Sequence, residues 1–164
     1  MDVLDNSRIR YWFFGTIVIF LGVFFAFAAR AEPTVIELVQ VPCQFLDIEE
    51  DQGFKSQRQA DCEAINKRTA AERLTKAKVL KLKPGEYIFR VTNKNVPYEL
   101  GFWLREKDYN WANPLHKLTK ISVSGGGMVM GKTIDYKVTL KAGEYLYSCP
   151  LNTTPDYRLI VSDS

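Results

Sequence analysis

Histidine and sulfur are both scarce: the 164 residues contain one histidine and three cysteines. There is no CxxCH, no pair of CxxC motifs and no HExxH, which sets aside c-type haem attachment, zinc ribbons and zincin-type hydrolases. Charge of one sign is equally lacking. The chain carries 22 Lys and Arg against 19 Asp and Glu, a net charge of +3, so it has no basic field with which to hold nucleic acid. No glycine-rich phosphate loop follows a strand. No paired carboxylates stand in a recognisable setting, and a single histidine leaves no nucleophile–base pair. The chain is therefore read as a non-enzyme. A charged fraction of 25% and a hydrophobic fraction of 46% are ordinary, which argues against both disorder and a polytopic membrane protein. The length suits one domain.

One long apolar run is present. Tyr11 to Ala29 reads YWFFGTIVIFLGVFFAFAA, nineteen residues without a charge, bounded by Arg10 and Arg30. As a helix it would be about 28 Å long, close to the hydrocarbon thickness of a bilayer. Tyr11 and Trp12 sit where interfacial aromatics belong, and Arg8 and Arg10 favour a cytoplasmic N-terminus. Ala29-Arg30-Ala31 has the small-x-small form of a signal-peptide cleavage site, but the run is longer and richer in Phe than an ordinary signal core. The expectation is an uncleaved anchor: residues 1–10 as a cytoplasmic tail, 11–29 as a transmembrane helix in contact with the lipid bilayer, and 30–164 as an exported domain. Beyond residue 30 the balance is 19 basic against 17 acidic residues, so the domain offers no obvious electrostatic partner.

Strand signals dominate that domain. Val35–Val41, Tyr87–Val91, Leu100–Leu104, Tyr136–Leu140, Tyr145–Ser148 and Tyr157–Val161 are short, β-branched or aromatic, and bounded by Gly, Pro or Asn. They predict an antiparallel sandwich. A charged, alanine-rich stretch between Phe54 and Val79 breaks the pattern. Asp61 is suited to cap one short helix and Thr69-Ala70-Ala71-Glu72 to open another, so residues 61–78 are expected to be helical. The acidic Asp47–Asp51 segment (DIEED) reads as a solvated loop. Leu82-Lys83-Pro84-Gly85-Glu86-Tyr87-Ile88-Phe89 is echoed by Leu140-Lys141-Ala142-Gly143-Glu144-Tyr145-Leu146-Tyr147, which marks equivalent turns at one end of the sandwich.

These segments, in this order, resemble the cupredoxins. The turn Pro84-Gly85-Glu86-Tyr87-Ile88-Phe89 is followed by Val91-Thr92-Asn93-Lys94-Asn95-Val96-Pro97-Tyr98, and later by Gly143-Glu144-Tyr145-Leu146-Tyr147-Ser148-Cys149. The resemblance implies a mainly β, Greek-key sandwich with a helical insertion near 54–79. It does not extend to blue copper. Such a centre needs two imidazoles and a thiolate, usually with a weak axial thioether. Tyr98 stands where the first histidine belongs, and no His or Met follows Cys149.

The chain is most similar in motif to the cupredoxin-like domain of the EfeO-type periplasmic iron-uptake proteins. That likeness rests on Cys43 in VPCQF, Glu99 in PYELGF and Cys149 in YSCPLNTTPDYRLIV. It implies that Cys43, Glu99 and Cys149 converge at one end, either as a site for copper or iron or with Cys43 and Cys149 joined as a disulfide. Cys62 is the odd thiol, able to pair with Cys43 instead or to add a third sulfur ligand. Met128 and Met130, flanking Val129, are secondary Cu(I) candidates. His116 in NPLHKL reads as a surface residue, and Asn152-Thr153-Thr154 matches a glycosylation sequon. The functional expectation is a bacterial inner-membrane, single-pass protein with a periplasmic cupredoxin-like domain, serving as an accessory subunit of a respiratory or transport complex. The alternative is copper or iron handling, with no cofactor certain. Nucleic acid is not an expected partner.

Overall fold

The computed structural model describes residues 32–163. The apolar run 11–29 and residues 1–10, with the anchor and tail expected of them, lie outside the described residues. Among the described residues no helix is long and apolar enough to cross a membrane.

Among the described residues nine strands and two helices follow one another: β1 (Thr34–Val41), β2 (Gln44–Phe45), α1 (Gln59–Lys76), β3 (Leu80–Leu82), β4 (Gly85–Asn93), β5 (Leu100–Glu106), α2 (Pro114–Thr119), β6 (Ser122–Met128), β7 (Thr133–Leu140), β8 (Gly143–Ser148) and β9 (Tyr157–Val161). They build a mainly β sandwich of two sheets, ordered β2-β1-β4-β7 and β3-β9-β8-β5-β6. The β5–β6 hairpin lies in one sheet, β7 crosses to the other, and β8 returns beside β5. This order agrees with the cupredoxin-like expectation.

The pairing is not antiparallel throughout. β1 runs parallel to β4 and β3 parallel to β9. Parallel neighbours need a long crossover, and the excursion from β1 to β4 supplies one by carrying α1.

Alternation explains why these segments are strands. β4 reads GEYIFRVTN, and Tyr87, Phe89, Val91 and Asn93 are all buried while the residues between them are less so. Phe89, Phe102, Phe45, Tyr147 and Tyr157 fill the space between the sheets. Their ring centroids lie 5.6–6.3 Å apart in stacked and edge-on pairs. The repeated turn motifs are equivalent in detail. Tyr87 Oη donates to the Lys83 carbonyl at 2.8 Å, and Tyr145 Oη to the Lys141 carbonyl at 2.9 Å. Each aromatic thus fastens the turn that precedes its own strand, and Gly85 pairs directly with Leu140.

Five elements differ from the expectation, β2 and β3 among them because they are too short to show a period. The helical stretch is one helix rather than two: the Asp61 carboxylate accepts from the Gln57 and Arg58 amides at its start, whereas Thr69 lies inside it with its hydroxyl on the Ile65 carbonyl. The polar loop around His116 contains α2. β6 reads SVSGGGM, with no apolar alternation to reveal it. A Cβ on its Gly125 would stand 3.0 Å from the Tyr136 ring, and its Gly127 has a φ of 80°, while on β5 it is backbone that intrudes. A Cβ on Gly101 would stand 2.6 Å from the Gly125 carbonyl oxygen.

That contact yields a prediction. Gly101→Ala should destabilise the domain by about 1–3 kcal/mol, because the obstructing atom is backbone and cannot rotate away. Urea denaturation followed by far-UV circular dichroism should show a lower midpoint with an unchanged slope.

Candidate functional site

The expected site lies where β1 and β8 end. β1 finishes at Gln40-Val41, the chain turns through Pro42-Cys43, and β2 returns with Gln44 opposite Val41. Cys43 has a positive φ of 67°, a conformation that a side-chain-bearing residue adopts at a cost of about 1–2 kcal/mol. The surroundings hold it there. Its amide donates to Asn152 Oδ1 at 2.9 Å, and its carbonyl accepts from Asn66 Nδ2 and Arg73 Nη2, each at 3.2 Å.

Asn152 is fully buried and uses its whole carboxamide. Nδ2 donates to the Val41 carbonyl at 2.9 Å and approaches Gln40 Oε1 at 3.4 Å, while Oδ1 accepts from Cys43 and lies 3.4 Å from Tyr98 Oη. Gln40 in turn donates to the Gly101 carbonyl in the opposite sheet at 2.9 Å. A chain of amides thus crosses the sandwich. The sequon at Asn152-Thr153-Thr154 thus has its amide nitrogen buried and bonded inside the protein.

The disulfide joins Cys43 to Cys62 on α1, 19 residues apart with Cα atoms separated by 4.9 Å. The expected Cys43–Cys149 bridge is therefore corrected, and the alternative pairing is the one formed. α1 presents Cys62 toward the Cys43 turn, so Cys62 reaches the sulfur first. A loop of this length gives about 3 kcal/mol in the chain-entropy account of crosslinks. Cys149 remains a free, buried thiol. Its sulfur accepts the Gly101 and Asn152 amides at 3.3 and 3.2 Å, and its own amide donates to Thr154 Oγ1 at 2.8 Å. Burial pushes the Cys149 thiol above its ordinary pKa, partly offset by those amides. Tyr98 Oη shares a 3.0 Å hydrogen bond with Ser56 Oγ and lies 3.4 Å from Cys62 Sγ. Desolvation raises the Tyr98 pKa, and the Ser56 bond lowers it in part.

Cys43 and Cys149 do lie at one end, both bonded to Asn152. Glu99 does not join them: it is exposed, and its Oε1 accepts the Gly127 amide at 2.7 Å. Met128 is in the core, Met130 is 60% exposed, and His116 Nδ1 accepts the Asn110 amide within the α2 loop. No group of three metal-ligating side chains assembles among the described residues. The donor chemistry agrees: one sulfur pair is oxidised, and the remaining thiol is buried and already accepts two amides. The residues present do not fit the three-ligand copper or iron site that Cys43, Glu99 and Cys149 were expected to form.

A second buried cluster was not foreseen. The DIEED segment is not simply solvated. Glu49 lies under α1, where its Oε1 is 2.5 Å from Arg73 Nη2, and both side chains are nearly inaccessible at 5% and 8%. Tyr157 Oη also donates to Glu49, and Arg73 donates to Asn66 Oδ1. Burial alone would lower the Arg73 pKa, but the Glu49 carboxylate outweighs it and holds the guanidinium above its usual range. Cys62, Asn66 and Arg73 are the buried residues of α1, on one face at helical spacing. The signal was in the sequence, as a polar stripe rather than an apolar one.

No family model matches this chain, and no curated protein matches it. Among solved structures it is similar to auracyanin B, at 13% identity over 81% of this chain and 92% of that one, with a TM-score of 0.48. It is also similar to a multicopper oxidase from Pediococcus acidilactici, at 16% identity over 82% of this chain, with a TM-score of 0.39; the match spans only 28% of that oxidase. At these scores neither likeness carries an argument about the chemistry of this chain.

Two predictions follow from the site. Thiol titration of the oxidised protein should find no reactive thiol in the native state, one after unfolding and three after unfolding with reductant. Arg73→Met should cost about 3–5 kcal/mol by leaving the Glu49 carboxylate buried without its cation. Adding Glu49→Gln should return part of that loss in thermal melts.

Proposed function

We propose that this chain is a membrane-anchored, exported cupredoxin-like protein that serves as an accessory subunit of a membrane complex rather than as a metal carrier. One observation carries this reading. The end of the sandwich at which the resembled copper proteins hold their metal is filled here by protein: Asn152, Tyr98 and the Cys43–Cys62 disulfide are bonded to one another. A carrier must open its ligands to the ion, whereas this end is closed by interactions that would all have to be given up. A disulfide also suits an oxidising compartment such as the periplasm. The uncharged run 11–29 supports a single anchor with the N-terminus in the cytoplasm.

The EfeO-type likeness supports the fold reading more than an iron-uptake role, because Glu99 is turned away from Cys43 and Cys149. The test is purification of the full-length chain from membranes in mild detergent without chelator. Native electrophoresis should place it in a species larger than the micelle-bound monomer, and elemental analysis should find copper and iron well below one equivalent. Stoichiometric copper or iron, with Cys43 and Cys62 titrating as thiols, would overturn the reading in favour of metal handling.

A further inference from the structure

The end of the sandwich opposite the disulfide carries an apolar knob that the fold does not cover. Trp111, Leu115 and Leu118 are 70%, 66% and 84% exposed, on the connection between β5 and β6. Leu115 and Leu118 are three residues apart on α2, hence on one face. Asn113 Oδ1 accepts the Leu115 amide at 3.0 Å, and the Asn110 amide donates to His116 Nδ1 at 2.9 Å. Lys120 reaches Asp108 at 2.7 Å and Glu106 at 3.3 Å. The loop is thus built to present these side chains. Clustered exposed apolar side chains of this size mark an interaction site.

The topology indicates what covers them. Thr34, the first residue of β1, pairs with Tyr87, and Tyr87 with Val138. Gly85 pairs with Leu140, the chain turns into Gly143, and Tyr145 pairs with Glu106. The Lys107 amide donates to the Glu144 carbonyl at 2.9 Å. The start of β1, the two tyrosine-fastened turns and the root of the α2 loop therefore share one end of the domain. The apolar run stops at Ala29, five residues before Thr34. Five residues span at most about 17 Å when extended. Under the anchored reading, the chain leaving residue 29 enters the domain at this end, the one that carries the α2 loop.

We propose that the α2 loop docks on the lipid bilayer that anchors the chain, with Trp111, Leu115 and Leu118 entering the interfacial region of the outer leaflet. Trp is suited to that depth, with an apolar ring and a polar N–H. Lys107 is paired with Glu144 and Lys120 with Asp108, and Lys117 is the one cation of the loop without an ion pair among the described residues. The contact is therefore mainly hydrophobic, and it should largely tolerate salt and zwitterionic lipid. The inference rests on the anchored reading proposed above.

The test uses the full chain carrying Trp12→Phe, reconstituted in phosphatidylcholine vesicles with or without bromine in the acyl chains. Trp103 and Trp111 then remain as emitters. Brominated lipid should quench this variant about twofold more than the same variant with Trp111→Phe added, at both low and high salt. Leu115→Ser with Leu118→Ser should reduce the quenching of Trp111, and neither exposed leucine is needed for folding. A chain that resists carbonate extraction but shows equal quenching with and without Trp111 would overturn the docking while leaving the anchor intact. That result would also turn the knob over to a protein partner. A chain released by carbonate would overturn the anchored reading, and the docking with it.

Discussion

The turn at Cys43 is the constraint on which the disulfide end of the domain depends. A residue with a side chain is held in the left-handed region while its amide and carbonyl are both buried. Such a turn survives only if every polar group finds a partner, because an unpaired buried amide costs about 1–3 kcal/mol. Asn152 takes the amide; Asn66 and Arg73 take the carbonyl. These partners come from the β8–β9 connection and from α1. Position 43 thus ties the first strand to the last connection without a covalent bond between them, which is the work the sequence reading had assigned to a Cys43–Cys149 crosslink.

Arg73 extends that constraint through the helix. Its guanidinium serves the Cys43 carbonyl, Asn66, Thr69 and Glu49 together, and Phe54 stacks on it with the ring centroid at 4.9 Å. A buried ion pair repays its desolvation only when its remaining hydrogen-bonding capacity is used, and here it is. α1 is therefore fastened by a disulfide and a polar stripe rather than by an apolar face, which accounts for a helix with so few buried hydrophobic residues lying against the sandwich.

What could be read from the sequence followed from how each residue does its work. β1, β4, β5, β7, β8 and β9 announced themselves because their buried residues alternate or are aromatic. β2 and β3 are too short to show a period, and β6 is hidden by its run of three glycines. The site was half legible. Cys43 and Cys149 were rightly placed at one end, since strand order alone brings them there. The choice of Cys62 as the sulfur partner depends on which face α1 turns inward, and that face is polar, so a search for apolar spacing passes over it. Asn152 drew notice only as a sequon, although its amide is the most heavily used polar group at that end.

The two ends of the sandwich differ in kind. At one, the Asn152 side chain donates and accepts within the protein, and its bonds hold the Cys43 turn. At the other, the tyrosine-fastened turns satisfy their own backbone and Lys107 and Lys120 pair locally, which leaves Trp111, Leu115 and Leu118 as the unmet apolar surface. The disulfide end is held by buried polar bonds, whereas the opposite end presents exposed apolar side chains, Trp111 foremost among them. The Cys43–Cys62 bridge closes the first of these ends, and the α2 loop furnishes the second with its apolar side chains.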